Sequence, residues 1–118
     1  GDTTVDARET TACSSSTRGV RFGARQDDSP NVNNVIDYIT ISSAGDASDF
    51  GDLAAATRGA ASSTNSTRAV AIAGNTGSDI NVMQYVTISS IGNAADFGDL
   101  TSATIAGSAG SNGHGGLS

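Results

Sequence analysis

The run from Asn34 to Leu53, NVIDYITISSAGDASDFGDL, returns 47 residues later as NVMQYVTISSIGNAADFGDL from Asn81 to Leu100. Upstream, Ser16-Thr17-Arg18-Gly19-Val20 recurs as Ser66-Thr67-Arg68-Ala69-Val70 at a spacing of 50. The three-residue difference falls in the polar stretch between Gly23 and Asn34, where a loop tolerates a change of length. Partial copies flank both units: Gly1 to Arg8 aligns with Gly51 to Arg58, and Ala109 to Leu117 with Ala12 to Val20. The chain therefore reads as one repeat domain over 1–118, with a partial unit at 1–12, full units at 13–62 and 63–109, and the start of a third at 110–118. A period of this size points to propeller blades or another repeat array.

Composition agrees with a repeat and disfavours an ordinary globule. Leu, Ile, Val and Phe make up only 21 of 118 residues. Below about 20% such residues, a mixed chain usually buries too little apolar surface to fold. Here Ala, Gly, Ser and Thr supply the balance and let layers approach closely. No window approaches the ~20 apolar residues of a membrane span. The start of the sequence carries neither an initiator Met nor a signal-like apolar region, so a mature product or an excerpt is expected. Cys13 is alone and cannot form an internal disulfide. With a net charge of −6 and a pI near 4.3, the chain has no phosphate-binding footprint, and nucleic acid is not an expected partner.

Each unit reads as short strands. Val35 to Ile41 and Val82 to Ile88 are rich in β-branched and aromatic residues, with apolar groups on both faces, so cover on both sides is expected. Val20 to Phe22 and Val70 to Ile72 read as a second strand ending in Gly23-Ala24 or Ala73-Gly74. Ser-rich turns are expected at Cys13 to Thr17 and Ser63 to Thr67, and a fourth strand from Phe50 to Leu53. The run from Leu53 to Ala61 has helical propensity, but its Thr-rich counterparts at Asp2 to Glu9 and Leu100 to Ser108 favour strand. Three to four strands per unit make about one blade.

These units resemble degenerate kelch repeats: an Arg before the first strand (Arg8, Arg58), a small-residue pair, a Tyr-bearing strand (Tyr38, Tyr85) and a closing aromatic (Phe50, Phe97). Thr17-Arg18-Gly19-Val20 and Asp49-Phe50-Gly51-Asp52-Leu53 together resemble repeats in structural proteins of marine bacteriophages. The resemblance implies an all-β fold of kelch-like propeller blades, with a β-solenoid or fibre as the alternative. It also implies a virion or extracellular location and a structural or recognition role, with a host-surface glycan as ligand. Two blades do not close a propeller of ~4–8 blades. The expected partners are thus further copies of the chain closing a ring, or further repeats of a longer chain.

Chemistry-bearing residues are few. His114 lies in Gly113-His114-Gly115-Gly116 with no nucleophile elbow, and reads as a turn residue. Cys13 is replaced by Ser63 in the second unit, as a small structural residue would be. Asp49-Phe50-Gly51 and its copy match a kinase tripeptide only by spelling. The triplets Asp46, Asp49, Asp52 and Asn93, Asp96, Asp99 lack a known calcium-loop spacing and fit structural pairing better than cation binding. Arg18 and Arg68 are expected to lie buried between units, bonded to Asp49, Asp52, Asp96 or Asp99 or to strand-end carbonyls. Ligand contacts are expected in the loops that differ between units: Arg25, Asp27, Asp28 and Asn31 in the first, Asn75 and Asp79 in the second. No catalytic residue, cofactor or metal is expected. The competing function is a carbohydrate-active enzyme on the same scaffold, with Asp27, Asp28 and Asp79 as the available carboxylates.

Overall fold

The computed structural model describes residues 1–26, 31–105 and 107–111. These residues are all-β, without a helix. The first sheet comprises β1 (Thr11–Ser14), β2 (Arg18–Arg25), β3 (Val32–Thr40) and β4 (Ser48–Asp52). The second comprises β5 (Ala61–Thr64), β6 (Arg68–Asn75), β7 (Asp79–Thr87) and β8 (Ala95–Thr104). Each is an antiparallel meander in simple chain order. The described residues form two adjoining sheets and no closed barrel or ring.

The Ser-rich stretches are strand at their start and turn at their end, since Cys13, Ser14, Ser63 and Thr64 all pair in ladders. Ser15 and Asn65 then close the turns, accepting the backbone N–H groups of Arg18 and Arg68. The stretch from Leu53 to Ala60 is neither helix nor strand but an extended crossing tied to both sheets. Its Leu53 and Thr57 N–H groups reach the Asn34 and Asn33 carbonyls of β3, while Arg58 exchanges two backbone bonds with Asn75 of β6. Residues 2–9 repeat this course over the first sheet, where Arg8 exchanges the same two bonds with Arg25. The third counterpart behaves differently: Leu100 to Thr104 stays in β8, paired with β7.

The small-residue pairs mark bulges between Phe22 and Ala24 and between Ile72 and Gly74. Gly23 and Ala73 both take left-handed backbone, and a side chain on Gly23 would stand 2.4 Å from the Thr57 carbonyl oxygen. Glycine there admits the crossing segment to the sheet.

The core lies between the sheets. Val20, Phe22, Ile36, Phe50 and Leu53 meet Ala69, Ala71, Val86 and Ile88 in one cluster. The small alanines let the second sheet approach closely enough for a chain poor in large apolar residues to build an interior. Cover on both faces, expected for both Tyr-bearing strands, holds fully for neither: β7 buries one face and leaves Met83 and Tyr85 on the other half-buried, and β3 leaves its Ile39 face open. Val86 and Ile88 are 3% and 2% exposed, whereas their counterparts Ile39 and Ile41 are 47% and 52% exposed. Burial of this face requires a sheet on the far side, and β1–β4 has none there.

Candidate functional site

The β2–β3 and β6–β7 hairpins end on the same edge of the molecule. Between them lies a polar cleft of about 390 Å³, lined by Asn31, Val32, Arg58, Asn75, Thr76 and Gly77. Two of the loop residues expected to contact ligand, Asn31 and Asn75, are therefore brought together. Asn75 is held in place: its amide donates to Asp79 at 2.8 Å, and its side-chain oxygen accepts from the Gly77 N–H at 3.0 Å. Asp79 thus orients a cleft residue. Asp27 and Asp28 lie outside the described residues, as does His114.

Arg58, which the sequence marked only as a repeat landmark, enters the cleft from the crossing segment. Its guanidinium donates to Glu9 at 2.7 Å, and Arg25 approaches the other oxygen of the same carboxylate at 3.5 Å. One carboxylate thus ties the two crossing segments to β2. The hydrogen bond from Arg58, reinforced by the charges of Arg58 and Arg25, holds the Glu9 carboxyl below its ordinary range against a partial desolvation that acts the other way. A depressed carboxylate stabilises the fold fully above its unfolded value of about 4.3, and that contribution fades as pH falls through the folded value. An NMR titration should place Glu9 below a free glutamate, and Glu9→Gln should show a shallower loss of stability with acid; a Glu9 titrating at the free value would refute the clasp. At the same hairpin end, Arg25 Nε and Asn33 Nδ2 are buried without a hydrogen-bond partner among the described residues. Buried donors of this kind call for a water or a ligand.

Arg18 and Arg68 do not pair with aspartates. Asp49, Asp52, Asp96 and Asp99 are exposed, and the ion pairs among the described residues join Arg21 to Asp37, and Arg25 and Arg58 to Glu9. The guanidinium groups instead lie over the Tyr38 and Tyr85 rings, at 4.6 and 4.7 Å from the centroids. Half-buried Arg18 also donates to the Ile88 carbonyl of the second sheet at 2.8 Å, a strand-end carbonyl as expected. Arg68 is exposed, because no further sheet covers it.

The buried ion pair is a different one. Asp37, 1% exposed, takes Nε and an amino group of Arg21 at 2.7 and 2.6 Å, and Thr4 donates to it from both N–H and hydroxyl. The sequence held a signal for it. Where the first unit has Arg21 opposite Asp37, the second has Ala71 opposite Gln84, so both charges are absent together.

Half-buried Cys13 has its thiol near the Ser63 carbonyl, and burial pushes its pKa up, as befits a structural thiol. Among the described residues no cluster of His, Cys, Asp and Glu is arranged to hold a metal ion. No protein-family model matches the chain, and no curated protein matches it in sequence.

Proposed function

We propose that the chain is a structural and recognition module built of kelch-like propeller blades, which binds a polar ligand of the carbohydrate class at its hairpin edge. The cleft shared by Asn31, Arg58, Asn75 and Thr76 carries this reading. Amide, guanidinium and hydroxyl groups from two consecutive units converge there, the amides and the hydroxyl at places where the units differ. A cleft lined by polar donors and acceptors suits the hydroxyl groups of a saccharide. The blade reading is supported by the four-stranded meander in each unit and by the packing of first strand on first strand. Thr11 meets Ser62 at 2.7 Å, and Ser62 donates to the Ala12 carbonyl at 3.0 Å. The resemblance to phage structural repeats makes the particle surface the setting and a host-surface glycan the ligand.

The test is binding of the chain to an array of bacterial surface polysaccharides. A specific hit should weaken about tenfold on Asn31→Ala or Thr76→Ala, the worth of one lost hydrogen bond, and survive Ser90→Ala on the remote β7–β8 turn. Binding that ignores both cleft substitutions, or no binding to any polysaccharide, would overturn the assignment.

A further inference from the structure

The two ends of the molecule carry the halves of an interface that the chain already makes once inside itself. Phe50 is 2% exposed because it shares a cluster with Ala69, Val86 and, at its margin, Ala94 of the second sheet. Its counterpart Phe97 stands in the same edge-to-face contact with a tyrosine, 6.0 Å from Tyr85 as Phe50 is 5.7 Å from Tyr38, yet is 51% exposed. It borders an open cavity of about 560 Å³ with Val70 and Arg68, walled on one side by the chain's own Gly110 and Ser111. At the opposite end, Gly19, Ile39 and Ala47 are the first-unit counterparts of Ala69, Val86 and Ala94. With Val20 and Tyr38 they line a mostly apolar cavity of about 190 Å³. An apolar cavity of about 150 Å³ accepts a benzene ring, so this one has room for a phenylalanine side chain.

We propose that the outer face of β5–β8 docks onto the open face of β1–β4 in a second copy of the chain, with Phe97 entering the socket beside Ile39. Arg68 then donates to the Ile41 carbonyl, as Arg18 does to that of Ile88. The backbone repeats as well. Asp52 holds the following turn by its N–H to Asn93 and its carbonyl to the Ala94 N–H, and Asp2 holds the Asp46–Ala47 turn in the same two ways. Docking therefore exchanges Asp2 for the incoming Asp99, bond for bond, and seats the receiving copy's β1 in place of the incoming copy's own Gly110 and Ser111, which bond to Ser63 and Thr64 of β5. The contact joins unlike faces, so each copy keeps one free half and association continues until a ring closes. With two units per chain, closure at ~4–8 blades takes two to four copies. The inference rests on the blade reading of the proposed function and is independent of the ligand.

Sedimentation across a concentration series, starting from an 11.6 kDa chain, reads the outcome directly. The expected result is a discrete species of about two to four copies. Phe97→Asp and Ile41→Asp change exposed residues, and circular dichroism should show both folded. Each alone should weaken self-association by about thirtyfold or more, the effect of losing a hot spot. Mixed together they should form a one-to-one dimer and nothing larger, because each supplies the half that the other lacks. A chain that stays monomeric at every concentration would overturn the proposal, and so would an Ile41→Asp variant that self-associates like the parent. Loss of association with glycan binding intact would leave the ligand assignment standing; the reverse would leave the interface standing.

Discussion

Phe50→Ala should lower the unfolding free energy by about 3–5 kcal/mol, while Phe97→Ala, in solution dilute enough to hold the chain monomeric, should cost about 0.5 kcal/mol. Both residues occupy the same place in Asp-Phe-Gly-Asp-Leu and stack edge-on against equivalent tyrosines, Tyr38 and Tyr85. Only their surroundings differ. Phe50 fills the space between two sheets, and its removal opens a cavity in the cluster that holds Ala69, Val86 and Tyr38, which the two sheets cannot fully close. A small domain has about 5–15 kcal/mol of stability in all, so the Phe50 variant should show a strongly reduced urea midpoint or fail to fold at 37 °C. Equal midpoint shifts for the two variants would mean that the core does not lie between the sheets.

The second large effect lies at the buried ion pair. Asp37→Gln or Arg21→Ala alone should each cost about 3–5 kcal/mol, because the remaining charge stays desolvated without its partner. The double variant Arg21→Ala/Asp37→Gln should cost much less than the two single losses together. It copies into the first unit what the second already has, since Gln84 opposite Ala71 accepts the Ala54 N–H at 2.8 Å just as Asp37 accepts that of Thr4 at 3.2 Å. In both units a β3- or β7-strand side chain captures the crossing segment, once as an ion and once as an amide. A double-mutant cycle by chemical denaturation measures the coupling directly, and additive losses would refute it.

The two-fold repetition, the all-β class and the Tyr-bearing strands were legible because they reside in spacing and local side-chain type. The partner of an arginine was not. Arg18 recurs as Arg68 in units that both carry the acidic motif, but cross-strand register decides, and that register depends on hairpin length and on the bulge at Gly23. The register puts Arg21, not Arg18, opposite an aspartate. Burial was hidden for a related reason. Ile39 and Val86, or Phe50 and Phe97, have nearly identical neighbours in sequence, and what separates them is the presence of a sheet on one side. Tying of the crossing segments by Glu9 was not legible either, because Glu9 lies in a partial copy and its partners come from β2 and from the second crossing segment.

The crossing segment from Leu53 to Ala60 follows the first unit's last strand, but its hydrogen bonds are divided between β3, β6 and β7. Melting either sheet strips the same peptide of half its partners and exposes Phe50 and Leu53 at once. Neither sheet can loosen while the other stays intact, so the nearest-neighbour coupling that governs repeat arrays is strong here relative to the stability of a single unit. The chain should therefore unfold as one cooperative unit, with few partly unfolded states that keep one sheet standing. For an all-β chain with exposed strand edges, that scarcity protects against aggregation, since the species that would present a bare edge and a bare core face together is hardly populated.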